Sequence, residues 1–424
     1  MTDHFTIKAP GRVNLLGEHT DYNGLPVLPM AINRHICIKG APVSHLQITV
    51  TAMGETVEFE LSDTIPKHPA GHWCNYVKAG MQGAFVDFIQ NKAIPVFGCE
   101  MTITGTIPQN AGLSSSSALV VAAALALLQA NQIDVDRMQL AESMARAEHY
   151  VGTRGGGMDQ AASLLAVQNH IMKMDFFPLR IQQVPFPEDL AVVICHSGVQ
   201  AKKSAEAVMQ FNLRAAECRL ALALLKKLCP KLSQVMRLGD LLHPPFGYTS
   251  IQIQSLIQEH LQDEYSEARL RDTMQDDEMI NTLFIDYGLN HSSAGNLTYA
   301  CGKRFRHVIS DAARVEAACK SLQNHDIQQF CSLINAGHIS ARDDFEISCL
   351  DIEALIACAQ HNGAMASRIT GAGFGGSTVN IVNREHVEHF IQKMKEQFYN
   401  DGHWTTMEPI TACQPANGAS IQTS

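Results

Sequence analysis

Four serines follow one another at Ser114, Ser115, Ser116 and Ser117, directly after Gly112-Leu113 and directly before an all-apolar run that begins at Ala118. A strand-like stretch, Glu100-Met-Thr-Ile-Thr104, leads in, and Gly105 turns the chain. Helix N-termini carry unpaired N–H groups and about half a positive charge, which suits a phosphate. Glycine lets the backbone approach an anion closely, and serine hydroxyls add donors, one of which can ligate Mg2+. An ordinary helix cap needs one serine, not four. The spacing predicts a phosphate-binding loop over 105–117. No GxxxxGK[ST] occurs in the chain, so if the phosphate is that of ATP, the charge of the Walker-type lysine must come from elsewhere.

Phosphoryl transfer also needs a group that orients or deprotonates the acceptor hydroxyl. Asp159 is a candidate, placed just after Gly155-Gly156-Gly157-Met158. Taken alone, an Asp at a helix start is more often a simple cap. Glu148 lies 11 residues earlier, on the preceding helical stretch, within reach of a metal ion.

The segment Lys8 to Gly24 is dense in groups that recognise hydroxyls. Glu18, His19 and Asp21 fall within four positions, between Gly17 and Gly24. Carboxylates and imidazole can accept from and donate to the vicinal hydroxyls of a sugar. A lone His-x-Asp lacks zinc-like spacing. Near the other end, Gly371-Ala-Gly373-Phe-Gly375-Gly376 formally matches GxGxxG. A dinucleotide fold requires a helix after the glycines. Here Ser377-Thr-Val-Asn-Ile-Val382 reads as a strand, so the expectation is close approach of backbone to a ligand rather than an NAD site.

These groups need a framework to hold them. The chain has 424 residues, 46% of them hydrophobic and 17% charged, which is globular composition and long enough for two or three domains. The net charge of −10 argues against a nucleic-acid partner. The longest apolar run, Ala118 to Leu128, is too short for a membrane span. The twelve cysteines show no CxxC spacing, and the first residues, MTDHFTIKAP, lack a signal-peptide pattern, so a reducing, cytoplasmic setting is expected.

Strands are expected at 37–40, 46–51, 56–61, 100–104, 190–195 and 377–382. Helices are expected at 117–131, 136–150, 201–228, 250–262, 275–283, 304–322, 325–341, 351–361 and 386–399. The fold class is α+β: a strand-rich N-terminal lobe, residues 1–198, and a helix-rich C-terminal lobe, 199–424, with the site between them. No chemistry is legible across 235–300, including the Asn290-to-Asn296 stretch.

Together the segments resemble the GHMP-type small-molecule kinases, and within them the galactokinase branch. Gly11-Arg-Val-Asn-Leu-Leu-Gly-Glu-His-Thr-Asp-Tyr-Asn-Gly24 resembles the galactokinase signature. Pro108-Gln-Asn-Ala-Gly-Leu-Ser-Ser-Ser-Ser-Ala118 is similar to the family's ATP-phosphate loop, and Arg368-Ile-Thr-Gly-Ala-Gly-Phe-Gly-Gly376 to its third motif. The resemblance implies Mg-ATP-dependent phosphorylation of the anomeric hydroxyl of a sugar. It implies that Asp159 is the base or orienter and that Arg12 stabilises the transferring phosphoryl and holds Asp159 ionised. Glu18, His19 and Asp21 would bind sugar hydroxyls, with Gly157 packed close. Gly112, Leu113 and Ser114 to Ser117 would cradle the ATP phosphates, and Ser116 and Glu148 would hold Mg2+. Trp73, Asn75 and Tyr76 would lie by the nucleotide base, and Gly371 and Gly373 would line the cleft.

Two departures stand out. The third motif usually ends Gly-Gly-Cys and here ends Gly376-Ser377. Galactokinases usually place a Tyr near the sugar where this chain has Phe211, in a stretch similar to the N-acetylgalactosamine kinase branch. Phe offers no hydroxyl and leaves apolar surface that could suit an acetamido group, yet Thr20, Asn23 and Gly24 follow the galactose-kinase version of the first motif, which touches the sugar most directly, so galactose leads and N-acetylgalactosamine remains the alternative. A sugar sensor without catalysis is the reading from another class.

Overall fold

The structure is a computed structural model that describes residues 4–108, 111–152, 155–199, 205–289, 298–400 and 408–423, the side chains of 205–208 excepted. Gln109 and Asn110 of the phosphate loop, the start of the helix expected from 201, and Asn290 to Asn296 lie outside the described residues.

In chain order the first part runs β1 (Phe5–Asn14), β2 (Pro29–Val43), β3 (Gln47–Ala52), β4 (Glu55–Glu60), α1 (Cys74–Ala84), β5 (Gly98–Gly105), α2 (Ser115–Ala130) and α3 (Arg137–Ala147). Then come α4 (Met158–Leu165), β6 (His170–Asp175), β7 (Arg180–Pro185), β8 (Leu190–His196), α5 (Ala205–Leu228), α6 (Ser250–His260), β9 (Tyr265–Ser266), α7 (Glu267–Met274) and α8 (Asp277–Asp286). The last part is β10 (Thr298–Tyr299), α9 (Cys301–Gln323), α10 (Ile327–Asp343), α11 (Leu350–His361), β11 (Ala366–Thr370), β12 (Ser377–Asn383), α12 (Val387–Gln397), β13 (Ile410–Cys413) and β14 (Ser420–Thr423).

The expected mixture of strands and helices is present. One six-stranded sheet has the order β14-β1-β2-β5-β3-β4, and a second, four-stranded sheet has the order β11-β12-β8-β13. Both sheets draw on the two halves of the chain. β14 pairs with β1, Phe5 opposite Thr423, and β8 sits between β12 and β13. Strand alternation reports which face is buried but not which strand is the neighbour, so this interleaving was not legible from the local pattern.

Local chemistry explains the elements near the site. β3 alternates half-buried and buried side chains, Gln-Ile-Thr-Val-Thr-Ala, as a strand with one face on a core does. β8 is buried along its whole length, which accounts for its unbroken apolar run. α2 has no polar face because it has no solvent face: Ser117 to Leu128 are all buried, and the helix packs on α1, β1 and β2. α3 begins where Asp136 accepts from the N–H groups of Met138 and Gln139, both at 2.9 Å. A 3-10 turn, Glu148–Val151, follows α3 and carries Glu148 inward.

Register matters most in β1. Its pairing with β2 shifts between Pro10, opposite His35, and Arg12, opposite Ala31. Such an irregularity re-aims side chains, and here it faces the phosphate loop. A Cβ on Gly11 would meet the Leu113 carbonyl oxygen at 2.6 Å, and the Arg12 N–H donates to that same oxygen at 3.2 Å. β1 therefore runs against the loop it helps to organise.

One core surrounds α2 and the first sheet; a second lies among α5, α9 and Phe345; a third lies beneath α11 and α12 on the second sheet. The first core includes Val315, Phe330 and Val379 from the C-terminal half, so the halves are packed together and not merely tethered. Among the described residues no helix is long and apolar enough to cross a membrane. All twelve cysteines are unpaired thiols.

Candidate functional site

The serine loop leaves its helix end open. Ser114 precedes α2 in a left-handed conformation, φ 55° and ψ 39°, and its side chain does not cap the helix. The hydroxyl instead donates to Oδ2 of Asp159. The N–H groups of Ser115 to Ser117 thus head a 16-residue helix without a capping side chain, as an anion site requires. Gly112, with φ 73°, allows the turn.

Arg12 and Asp159 form the centre. Arg12 Nε donates to Oδ1 at 2.6 Å and Nη2 to Oδ2 at 3.0 Å, a two-pronged pairing that fixes the carboxylate plane. Arg12 Nη1 also donates to the Gly112 carbonyl at 2.8 Å, so one guanidinium joins the candidate base to the phosphate loop. The Arg12 side chain is 7% exposed and that of Asp159 25%, so the pair is sheltered yet Asp159 remains open on one side.

Of the three expected sugar-binding side chains, Glu18 feels the Arg12 charge and Asp21 the Asp159 charge, whereas His19 is held among Tyr22, Phe211, Phe345 and the Ala372 carbonyl. Glu18 is buried, and its Oε1 accepts the Gly371 N–H at 3.0 Å. Burial pushes its carboxyl up to about 7, against the pull of Arg368 and Arg12. Asp21 accepts the Gly156 N–H at 2.9 Å. Burial, and then the neighbouring Asp159 charge, push it up to about 6.

His19 sits in the left-handed region, φ 61°, between the rings of Phe211 and Phe345, whose centroids are 5.1 and 4.7 Å away. Its Nε2 faces the Ala372 carbonyl at 3.2 Å and its Nδ1 the Tyr22 hydroxyl at 3.0 Å. A carbonyl can only accept, so Nε2 carries the proton and Nδ1 accepts from Tyr22. Burial drives this imidazole down to about 3 and keeps it neutral.

Gly157 and Gly156 do different work. Gly157, at φ 104°, precedes α4 and supplies the turn. Gly156 is the glycine that touches Asp21: a Cβ there would lie 2.5 Å from Asp21 Cγ. The family resemblance implies Gly157 close to the sugar; the glycine that the structure sets against Asp21 is Gly156.

Behind the loop, Glu148 is buried and accepts from Ser117 Oγ at 2.8 Å and from the Gln160 amide. The serine on Glu148 is therefore Ser117; Ser116 stands half-buried on the first turn of α2. The donor set there, one carboxylate and serine hydroxyls, is all oxygen and fits a hard cation such as Mg2+. Among the described residues no group of three or more His, Cys, Asp or Glu side chains gathers around a metal position.

Trp73, Asn75 and Tyr76 stand at the start of α1. Trp73 Nε1 donates to Glu55 at 2.7 Å and the indole stacks on His72. Asn75 is buried and holds the loop before it, accepting the His68 N–H at 2.9 Å and donating to the His68 and Pro69 carbonyls at 3.1 Å. Burial, and then the Glu148 charge, raise the Tyr76 hydroxyl to about 12.

The third motif is a junction. A Cβ on Gly371 would meet the Gly112 carbonyl oxygen at 3.0 Å, while the Gly371 N–H holds Glu18. Gly373, φ 87°, passes Ile347 too closely for any side chain, with a Cβ distance of 2.5 Å. Ser377, the departure from the usual cysteine, is buried and donates to the Ala111 carbonyl at 2.7 Å, a bond that a thiol would make only weakly.

Comparison with known proteins decides the family. The galactokinase galactose-binding signature matches residues 2–42, the GHMP kinases N-terminal domain matches 75–166 and the GHMP kinases C-terminal domain matches 317–400. A galactokinase of Dictyostelium discoideum is 32% identical over 93% of this chain and 84% of its own length. A galactokinase of Roseiflexus sp. (strain RS-1) is 31% identical over 98% and 92%. The chain belongs to the galactokinase family of GHMP kinases. The crystal structure of Lactococcus lactis galactokinase complexed with galactose superposes with a TM-score of 0.75 at 25% identity, covering 98% of this chain and 95% of that one. As a member of this family, the chain is an ATP-dependent sugar kinase.

Three participants escaped the sequence reading. His307 and Asp311 lie on α9, in a helical pattern with no motif around it, and both are fully buried against the Gly17–Glu18 backbone. Asn14 is buried, and its side chain faces the Glu18 carboxyl and helps to hold it charged. Only a polar residue inside an apolar helical stripe hinted at the first two.

Proposed function

We propose that this chain transfers the γ-phosphoryl group of ATP to the anomeric C1 hydroxyl of D-galactose, giving galactose 1-phosphate and ADP. The observation that carries the reading is the Arg12–Asp159 pair, joined through Gly112 and Ser114 to a phosphate loop on one side and flanked by Glu18 and Asp21 on the other.

In this mechanism the C1 oxygen attacks the γ-phosphorus, the bond to the β,γ-bridging oxygen breaks, and the hydroxyl proton passes to Asp159. Arg12 holds the Asp159 carboxylate in place through its two hydrogen bonds and offers positive charge to the phosphoryl as it transfers. The N–H groups and hydroxyls from Gly112 and Leu113 through Ser114, Ser115, Ser116 and Ser117 cradle the nucleotide phosphates. Glu18 and Asp21 accept from sugar hydroxyls. The neutral His19 packs against the sugar together with Phe211, while Gly156 and Gly157 shape the wall opposite. Glu148, with Ser116 or Ser117, would hold Mg2+, which neutralises phosphate charge when bound. Trp73, Asn75 and Tyr76 border the nucleotide base.

We further propose that residues 1–198 and 199–424 form the two sides of this cleft, with β8 lent to the second sheet and β14 to the first. A cytoplasmic setting fits twelve unpaired thiols.

Phe211 favours one competing sugar. Its ring packs 5.1 Å from His19 and 6.2 Å from Tyr22, an apolar surface with no hydroxyl to offer, which would suit the acetamido group of N-acetylgalactosamine. ADP release from Mg-ATP, measured in parallel with galactose, N-acetylgalactosamine, glucose and no sugar, separates the readings. Galactose well above the others is the expected result. A preference for N-acetylgalactosamine would transfer the chain to that specificity. Silence with every sugar, with nucleotide still bound, would favour a sensor.

A further inference from the structure

The loop that carries Glu18 has no regular secondary structure at residues 15–20, yet its backbone is held rigidly from the far side by α9. Asp311 Oδ2 accepts two consecutive backbone N–H groups, Gly17 at 2.8 Å and Glu18 at 3.2 Å. One turn earlier on the same face, His307 Nε2 donates to the Glu18 carbonyl at 3.1 Å. The N–H and C=O of Glu18 are thus both held by one helix. Asp311 is held in turn by Arg368 Nη2 at 3.5 Å and by Arg314 Nη1 at 3.1 Å. Arg368 Nη1 also donates to the Leu15 carbonyl at 3.3 Å, so the same arginine touches both the acid and the loop.

Asp311, Arg368 and His307 are fully buried. A fully buried charge pair is a costly way merely to fill a core, since apolar residues of similar volume do so at least as well. Space is also reserved for it. α10 carries Gly337 at the contact, where a Cβ would lie 2.7 Å from Arg368 Nη1 and 3.0 Å from Asp311 Oδ1. Gly17, at φ 88°, places the two N–H groups side by side, a turn that side chains seldom adopt.

We propose that Asp311 is a positioning residue for the sugar: with Arg368 and His307 it fixes the Gly17–Glu18 backbone and so aims the Glu18 carboxylate. This rests on the reading of Glu18 as a sugar-binding residue. The third motif then serves the sugar as well as the phosphate, through Arg368 behind the loop and Gly371 in front of it.

The test is steady-state kinetics on the full chain with Asp311→Asn and Glu18→Gln side by side, with circular dichroism as a check on folding. Asp311→Asn keeps the shape but loses the charge and one acceptor. It should raise the galactose KM about tenfold or more while leaving the ATP KM within about twofold, roughly the 1.4 kcal/mol that a tenfold change represents. It should also move the acid limb of kcat/KM for galactose to lower pH. Glu18 faces Arg12 from β1, Arg368 from β11, and Asp311 and His307 from α9; removing the one carboxylate leaves Arg368 uncompensated beside it.

A galactose KM and pH profile like the wild type, in a variant that merely melts earlier, would overturn the proposal. If Glu18→Gln raises the galactose KM and Asp311→Asn does not, the positioning role fails and the sugar reading stands. If neither does, both fail. Should Asp311→Asn not fold, Gly337→Ala keeps every charge and disturbs the same contact. It should raise the galactose KM several-fold with ATP unaffected, and an unchanged galactose KM would overturn the proposal.

Discussion

Arg12 and Asp159, 147 residues apart in the chain, meet through two hydrogen bonds at 2.6 and 3.0 Å. The third guanidinium nitrogen of Arg12 reaches the Gly112 carbonyl at 2.8 Å. The candidate base is therefore built onto the serine loop, through Arg12 and directly through the Ser114 hydroxyl.

Asp159→Asn should remove most turnover, since losing a positioned base costs about 10²–10⁴-fold in rate. Asn keeps the size and one acceptor, so ATP affinity should stay near that of the wild type. Single-turnover rates alongside nucleotide titration separate the two effects. A parallel loss of ATP affinity would assign Asp159 to binding instead.

Arg12→Lys should be nearly as damaging as Arg12→Ala. A lysine ammonium cannot span both oxygens of Asp159 and the Gly112 carbonyl at once. The expected fall in kcat is about 10²–10³-fold, the range found when one charge-stabilising donor is removed from a transition state. A change confined to the galactose KM would reduce Arg12 to a sugar-binding group.

Gly156→Ala should weaken sugar binding without touching ATP, because the added methyl would lie 2.5 Å from Asp21 Cγ and force that side chain away. The readout is the galactose KM, expected to rise about tenfold or more, which corresponds to roughly 1.4 kcal/mol. Gly157→Ala should act differently. Its nearest new neighbour is Ala145 Cβ at 3.0 Å, and its cost comes from φ 104°, so it should lower thermal stability first.

The carboxyls of Glu18 and Asp21 give the pH dependence. Both lie above their ordinary values, at about 7 and about 6, because burial disfavours the charge. Their contribution to stability is therefore fully present below about pH 4 and is lost as pH rises through 6 to 7. Glu18→Gln removes the Glu18 share. Its Tm should gain on the wild type between pH 5 and pH 8, and melting curves across that range check it. Sugar recognition by the ionised forms runs the other way, so kcat/KM for galactose should climb over the same interval.

Much of the site could be read from local sequence. The serine run, the glycines and the Glu18-His19-Asp21 group stand in short windows, and the backbone properties they confer are local. A glycine at Gly112 or Gly371 permits a left-handed turn wherever it stands, and four serines before an apolar run make an anion-seeking helix end. The helices at 205–228, 301–323 and 327–343 were likewise visible, since periodicity is a property of neighbours. β1 was harder to see, because Pro10 and Gly11 interrupt the alternation of Phe5, Ile7, Ala9 and Val13 with Thr6, Lys8, Arg12 and Asn14.

The sequence by itself determined the family, and it singled out a candidate phosphate loop, a candidate base and candidate hydroxyl-binding groups, because each is a local run of residue types. Only the tertiary structure decided that Ser117 and not Ser116 meets Glu148, and that Gly156 and not Gly157 meets Asp21. It alone showed that Asp311 stands behind Gly17 and Glu18. These are contacts between residues 31, 135 and 294 positions apart. Each depends on the direction of a side chain or a peptide N–H, and that direction is set by packing rather than by the identities of adjacent residues.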